Sequence, residues 1–325
     1  MARTRCYRDG ALTDEDFPLE DVSEHLAEPG ALVWVDLCQP KADELRVLAE
    51  ELDLHAIAVE DAVTSHQRPK LNRYATHDFL TAYFVGLDLP TGELITGEIA
   101  AFITPSALVT VRKDDRFPVD DMVEQWDEDA DLTKHGVGAL VYGLLDFVVD
   151  GHFDTVQQLD DEIEGLEDLL FDNQPHDADV QRRSYELRKS LVRLRRVVLP
   201  MREVVNGLMR RKADEKLVDA DMEPYFQDVY DHVLRATEWT DSLRDLVTTI
   251  VETNLTIQGN RLNIITKKVT SWAAIIAVPT AITGFYGQNL PYPGYAQTSG
   301  FVVSSALIVV LSVALFISFR RRDWL

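Results

Sequence analysis

Cysteine is scarce in this chain. Only Cys6 and Cys38 occur among 325 residues, and their spacing matches no metal-binding motif. The first ten residues, "MARTRCYRDG", run into "DEDF" without an apolar stretch, so we expect no targeting signal at the N-terminus. Without a secretory context, the two cysteines are expected to stay reduced.

Positive charge is also in short supply, and it is unevenly distributed. The chain has 32 Lys and Arg against 55 Asp and Glu, for a net charge of −23. Residues 1–266 carry −27, whereas the remainder carries +4. Such an acidic body argues against a nucleic-acid partner and against binding to an anionic membrane surface, but it would attract cations.

Charge is absent altogether from a long segment near the C-terminus. The 51 residues from Val269 to Phe319 include no Asp, Glu, Lys, Arg or His. Two apolar runs occur there, 17 residues at 269–285 and 19 residues at 301–319. A membrane span needs about 20 residues, with roughly 17 as the lower limit. We therefore predict two transmembrane helices; a buried pair of core helices is the alternative.

The residues that flank these runs predict the topology. Lys267 and Lys268 precede the first run, Arg320–Arg322 follow the second, and the 287–300 connection is neutral. Basic flanks stay on the cytoplasmic side. Both termini are therefore expected inside the cell, with a short loop outside.

The first 150 residues have the pattern of a mixed α/β domain. A strand is predicted at 31–37, an amphipathic helix at 41–54, and three strands within 78–114, separated by the turns "LPTGE" and "TPSA". Two long helices follow at 152–172, which is acidic, and 177–213, which is basic. The acidic residues could form a cation site, but paired charges between two antiparallel helices are the preferred interpretation.

A third long helix begins near Pro224 and continues into the first apolar run. Apolar residues follow a 4-3-4-3 spacing for five heptads, with Asn254 and Arg261 as polar members. From Pro224 to Tyr286 such a helix would measure roughly 90 Å at about 1.5 Å per residue. Self-association is the expected way to bury this seam, and a ring of identical helices could enclose an aqueous pathway.

Polar residues near the first span would then line that pathway. They are Asn263, Thr266, Thr270, Thr280, Thr283 and Asn289. Hydrogen bonding of the threonines to their own helix backbone is the competing interpretation.

Four motifs in order give the chain a family resemblance. The turn "YGQN" at 286–289 resembles the Tyr-Gly-Met-Asn signature of CorA-type magnesium transporters, and the ending "RRRDWL" resembles theirs. "LHAIAVEDAVTSHQRPKL" at 54–71 and "LRRVVLPMREVV" at 194–205 resemble family motifs in the cytoplasmic part. The resemblance covers the chain from about residue 31 to the end.

The resemblance implies a fold and a domain plan. It implies an α/β/α sandwich domain, long helices that run into a two-helix transmembrane hairpin, and a funnel-shaped homopentamer in the membrane. The expected segments are an α/β domain at 1–150, a helix pair at 151–222, a stalk and first span at 223–286, the loop at 287–300, the second span at 301–319 and a basic tail at 320–325.

The resemblance also implies a cation pathway, and that the protein is not an enzyme. The outer mouth would be formed by Gly287, Gln288 and Asn289. By position along the helix, the family's pore-facing residues are Asn263, Thr266, Val269, Ala277, Thr280 and Gly284. Mg²⁺ gives up its water reluctantly, so five Asn289 carboxamides would hold the hydrated ion. A helix C-cap is the alternative role of Asn289.

Regulation by intracellular Mg²⁺ is a further implication, so that Mg²⁺ would be both transported and regulatory. The matching acidic residues are Glu60 and Asp61 in the N-terminal domain, Asp228 at the start of the long helix, and Asp146. A divalent ion would relieve their repulsion across a subunit boundary.

Two departures from the family pattern leave the transported ion open. Gln288 replaces the usual Met, and the outer loop lacks an acidic residue. Mg²⁺ is the first expectation, with Co²⁺ and Ni²⁺ as further cations. A zinc transporter of the ZntB type is the alternative, and a membrane-anchored cytoplasmic sensor is a third.

Overall fold

The structure, a computed structural model, divides the chain into two compact units. The first is Met1–Ile250 and the second is Val251–Leu325. The described residues are 2–65, 67–88, 91–128, 132–171, 177–210, 220–288, 291 and 294–325.

A seven-stranded sheet organises the first unit. Its strands are β1 (Ala2–Arg8), β2 (Ala11–Glu15), β3 (Ala31–Cys38), β4 (Lys70–Arg73), β5 (Asp78–Asp88), β6 (Glu93–Ile103) and β7 (Ala107–Arg112). Their order across the sheet is β2-β1-β3-β7-β6-β5-β4. Every neighbouring pair is antiparallel except β3 and β7, which run parallel with Trp34 opposite Leu108.

Helices cover both faces of this sheet. They are α1 (Val22–Leu26), α2 (Ala42–Glu51), α3 (Ala56–Val63), α4 (Val119–Glu128), α5 (Val137–Phe171), α6 (Asp177–Met209) and α7 (Glu223–Tyr286). Alternate residues of β3 pack against the helices on opposite faces of the sheet, because successive side chains of a strand point to opposite faces. Val33 and Val35 pack with α2 and α3, whereas Leu32 and Trp34 pack with α4 and α5. The α/β/α sandwich is confirmed.

Most of the predicted elements of this unit are present. The strand at 31–37, the helix at 41–54 and the three strands within 78–114 correspond to β3, α2 and β5–β7. Strands β1, β2 and β4 are additional. β1 contains three arginines, yet Arg5 is buried because Asp127 accepts two hydrogen bonds from its guanidinium, at 3.0 and 2.9 Å.

The bounds of the long helices needed correction. Helix α5 begins at Val137 rather than at residue 152, because its apolar first half packs on the sheet and is helical throughout. Helix α6 ends at Met209, and residues 211–213 lie outside the described ranges. The Arg183 guanidinium and the Glu162 carboxylate are 2.7 Å apart, which supports charge pairing between the two helices.

The prediction that self-association buries the heptad seam of α7 is also corrected in part. Seven of its apolar or small members are buried within the chain itself. They are Val229, Val233, Ala236, Thr240, Leu243, Val247 and Ile250. Self-association is therefore not needed to bury this half of the seam.

The second unit contains the rest of α7 and helix α8 (Thr298–Arg321). Both helices are long and apolar enough to cross a membrane. They contain the predicted spans 269–285 and 301–319; α8 extends a few residues beyond its span at each end, and α7 begins far upstream, at Glu223. The connection between them includes Gly294 in a left-handed conformation. Asn289 falls outside the described residues.

Candidate functional site

The six predicted pore positions share one exposed face of α7. Within the single chain all of them are exposed to the surroundings. They are Asn263, Thr266, Val269, Ala277, Thr280 and Gly284. The described residues of the second unit leave this face open to a bilayer, an aqueous pathway or another chain.

The opposite side of α7 is the covered one. Ser271 is buried, and Ala274, Val278 and Ile282 are half-buried. The other helix described in this unit is α8, and the Phe316 ring of α8 lies 6.4 Å from Trp272 of α7. At about 100° per residue, the centres of the covered and exposed sets differ by roughly 130°. The pore positions therefore face away from α8.

Two threonine hydroxyls of the first span bond to the helix backbone. Thr280 Oγ1 donates to the Ile276 carbonyl at 3.1 Å, and Thr283 Oγ1 donates to the Pro279 carbonyl at 2.8 Å. For these two residues the structure shows the backbone bonding of the competing interpretation. A hydroxyl that donates its proton still has lone pairs to accept with. The Thr280 oxygen can thus serve as an acceptor for the water of a hydrated cation.

Glycine is required where α7 ends. The Gly287 amide donates to the Thr283 carbonyl at 2.8 Å, and the Gln288 amide donates to Phe285 at 3.3 Å. A Cβ at residue 287 would lie 2.9 Å from the Thr283 carbonyl oxygen. Gly287 therefore closes the helix tightly and leaves the exposed Gln288 just before the undescribed Asn289.

Lys267 and Lys268 lie away from the exposed pore face. Measured from the centre of that face, Lys267 is displaced by roughly 100° and Lys268 by roughly 150°, at about 100° per residue. Both are exposed. Their charges therefore need not oppose a cation that passes along the face of Thr266 and Val269.

Two of the four predicted regulatory acids come together between α5 and α7. Asp146 and Asp228 interact electrostatically, and Asp150 and His232 complete the group. The His232 Nδ1 atom lies 3.8 Å from an Asp150 oxygen, and its Nε2 atom lies 3.9 Å from an Asp228 oxygen. Burial, reinforced by the charge of Asp150, raises the pKa of Asp146 to about 6. Asp150 and His232 were not among the predicted residues, although each lies four residues from a predicted acid on the same helix face.

The other two regulatory acids lie on α3. Asp61 accepts a hydrogen bond from Lys70 Nζ at 2.5 Å, whereas Glu60 is exposed. Among the described residues no group of three or more His, Cys, Asp and Glu is arranged to hold a metal ion.

Comparisons with known proteins agree with this architecture. The family described as "CorA-like Mg²⁺ transporter protein" matches residues 29–321. The cobalt/magnesium transport protein CorA of Thermotoga maritima is 28% identical over 297 residues, which cover 90% of this chain and 83% of that protein. The zinc transport protein ZntB of Yersinia pseudotuberculosis is 24% identical over 263 residues, 79% of this chain and 77% of that protein.

A solved structure shares the whole fold. The complete structure of the CorA magnesium transporter from Methanocaldococcus jannaschii matches with a TM-score of 0.79 and 23% identity, covering 100% of this chain and 99% of that one. The family match extends over strands β3 to β7, the long helices and both apolar helices. The chain therefore belongs to the family of CorA-like Mg²⁺ transporter proteins, which are membrane transporters and not enzymes.

Proposed function

We propose that this protein conducts Mg²⁺, and also Co²⁺ and Ni²⁺, across the cell (inner) membrane as a homopentamer. The observation that carries the proposal is the exposed face of α7 opposite α8, which bears all six pore positions. Five such faces around an axis would enclose a pathway that one two-helix hairpin cannot form. The basic flanks of the two spans put both termini in the cytoplasm.

The mouth of the pathway selects the hydrated ion. Mg²⁺ demands octahedral coordination and loses water reluctantly, so outer-sphere contacts from neutral oxygens suit both entry and release. Gly287 ends α7 tightly, and Gln288 and Asn289 follow it. In this proposal, the carboxamide of Asn289 from each subunit contacts the water shell of the ion, and Thr280 and Thr266 accept hydrogen bonds from that shell further in.

Cytoplasmic Mg²⁺ closes the pathway through the acidic residues. Glu60 and Asp61 of one subunit would face Asp228 and Asp146 of the next. The raised pKa of Asp146 reflects a carboxylate that is costly to ionise without a counter-ion. A divalent cation would remove that cost and hold neighbouring subunits together, and loss of the ion would let them separate.

Transport of Zn²⁺ is the second candidate function. It is favoured by the similarity to ZntB and by Gln288, which adds an amide where the family signature has Met. The spans contain no histidine, although zinc prefers nitrogen and sulfur ligands. The two candidates therefore differ in the ion, and not in the pathway.

The test is ion influx into proteoliposomes that contain the purified protein and a trapped Mg²⁺-sensitive dye. A membrane potential is imposed, and Zn²⁺ and Co²⁺ are tested in parallel with suitable dyes. The variant Asn289→Ala removes the proposed mouth ligand. Gln297→Ala, which removes a carboxamide elsewhere in the connection, is the matched control.

Voltage-driven Mg²⁺ entry that is lost in Asn289→Ala and retained in Gln297→Ala supports the first function. Zn²⁺ entry without Mg²⁺ entry favours the second. If no ion enters at low internal Mg²⁺, both are wrong, and a membrane-anchored sensor becomes the better explanation.

A further inference from the structure

A cleft in the first unit is lined by arginines although the chain is strongly acidic. It has a volume of about 780 Å³ and lies between α6 and the β5–β6 hairpin. Arg68, Arg193 and Arg196 line it. Ligand pockets commonly measure roughly 300–1,000 Å³, so this cleft is large enough for a small molecule.

Some arginines of α6 have acidic partners. Arg183 is paired with Glu162, and Arg195 is paired with Asp241, both at 2.7 Å. By contrast, Arg68, Arg193 and Arg196 make no hydrogen bond or ion pair with any residue in the described part of the chain. The same holds for Arg188 and Arg202 of α6, but those two lie outside the cleft. Three guanidinium groups without an acidic partner among the described residues therefore surround one concavity. Their mutual repulsion would be relieved by an anion of high charge.

The wall of the cleft between these arginines is apolar. Leu94, Val197 and Pro200 are buried residues that line it. Tyr83 also lines it, and the Tyr83 hydroxyl donates to the Gln67 carbonyl at 2.5 Å, which holds the ring in place. The cleft thus places apolar side chains next to several guanidinium groups, and guanidinium groups bind phosphate oxygens in a bidentate manner.

We propose that this cleft binds a soluble nucleoside polyphosphate such as ATP. The phosphate chain lies across Arg68, Arg193 and Arg196, and the base packs against Leu94, Val197 and Pro200. The site is separate from the ion pathway, and it does not depend on which cation is transported.

The test measures ATP binding to the purified full chain in detergent, by equilibrium dialysis with radiolabelled ATP. A chelator is present so that metal binding does not contribute. The double variant Arg193→Ala/Arg196→Ala removes two cleft charges. Arg188→Ala/Arg202→Ala is the matched control, because both residues are exposed, lie on the same helix outside the cleft and change the net charge equally.

We expect ATP to bind with a Kd of about 1 mM or tighter at low salt. The cleft variant should weaken binding about tenfold or more, because hydrogen bonds between ionised groups are the strong ones. The control variant should weaken it less than about threefold, because Arg188 and Arg202 lie outside the cleft and make no direct hydrogen bonds to the phosphates. Circular dichroism and size-exclusion chromatography check that both variants keep their fold and assembly.

Three outcomes would overturn the proposal. The first is the absence of ATP binding to the wild-type chain at low salt. The second is an equal loss of binding in the two double variants, which would indicate a diffuse electrostatic effect. The third is inorganic triphosphate binding as tightly as ATP, which would leave the apolar wall without a role. Because no flux is measured, none of these results bears on ion transport.

Discussion

Valine behaves in opposite ways in the two units of this chain. Val233 of the first unit is fully buried, whereas Val309 of the second has 61% of its surface exposed. The contrast is general, since large exposed apolar side chains concentrate in the second unit. The first unit completes its own core, and the second leaves its apolar surface to be covered by lipid and by other chains.

Polar groups show the reverse distribution. The first unit buries an ion pair, Asp36 and Arg112, whereas residues 269–319 contain no ionisable Asp, Glu, Lys, Arg or His at all. A buried charge is tolerated where hydrogen bonds compensate it. The first unit should therefore respond to changes of charge and pH that leave the second unaffected.

The largest effect on the free energy of unfolding is expected from the variant Asp36→Ala. The Asp36 carboxylate accepts hydrogen bonds from Arg112 Nη2 at 2.6 Å and from Thr110 Oγ1 at 2.7 Å, and its residue is only 2% exposed. Its removal leaves the Arg112 charge buried and uncompensated, at a cost of about 3–5 kcal/mol in the free energy of unfolding. Urea denaturation of the full chain in detergent, followed by tryptophan fluorescence, measures this loss.

Asp43→Ala is the control for that variant. Asp43 pairs with Arg46 at 3.2 Å, but its side chain is 84% exposed. We expect a change within about 1 kcal/mol, because surface ion pairs contribute little. Equal losses in the two variants would contradict the distinction between buried and exposed charges.

An intermediate effect on the free energy of unfolding is expected when the pH is lowered. His152 is fully buried, and burial lowers its pKa to about 4 from the usual 6.5. The unfolded chain then binds the proton first as the pH falls, so the stability that His152 contributes is complete above pH 6.5 and is lost as the pH falls through 4. A shift of this size corresponds to roughly 3 kcal/mol.

The variant His152→Gln isolates this contribution. Its amide can still donate to the Tyr83 carbonyl, which His152 Nε2 contacts at 2.7 Å, but it does not titrate. The variant should be less stable than the wild type at pH 7, and the difference should narrow towards pH 4. A difference that stays constant with pH would contradict the prediction. Hydrogen exchange in α8 should be unchanged throughout.

The smallest effect on stability is expected from Thr280→Val in the second unit. Thr280 is exposed, and its hydroxyl bonds only to its own helix, so the free energy of unfolding should change within about 0.5 kcal/mol. Its hydroxyl would nevertheless be lost from the proposed pathway, and Mg²⁺ influx into proteoliposomes should fall. Thr283→Val is the matched control, since Thr283 lies roughly 95° from the centre of the pore face at about 100° per residue. If both variants reduce influx equally, the assignment of the face is wrong.

Much of the fold could be predicted from local sequence patterns. The apolar and aromatic runs of β5 and β6, the turn at Gly92 and the uncharged runs of α7 and α8 are all features of neighbouring residues. β1 was missed because its arginines resemble surface sequence, and the burial of Arg5 depends on Asp127, more than a hundred residues away. The start of α5 was missed because a helix buried on a sheet is apolar on several sides.

In the candidate site, too, positions set by local sequence could be predicted, whereas contacts between separate helices could not. The pore positions could be placed on one helix face because they lie on a single helix with a regular period. Asp150 and His232 were not found, because they meet Asp146 and Asp228 only through the packing of α5 against α7. Convergence of side chains from separate helices is not visible in one sequence.

The single parallel pair in the sheet has a consequence for how the chain is made. Strands β2, β1 and β3 lie within residues 2–38, and β4 to β7 lie within 70–112, so each half of the sheet pairs with near neighbours in sequence. Only the β3–β7 pairing joins the halves. At about 5–20 residues per second, β3 leaves the ribosome several seconds before β7. Formation of the β3–β7 pairing is therefore expected to limit the rate of folding, because long-range pairing is slow. Both apolar helices follow later in synthesis, so the sheet has time to close before the membrane segments emerge.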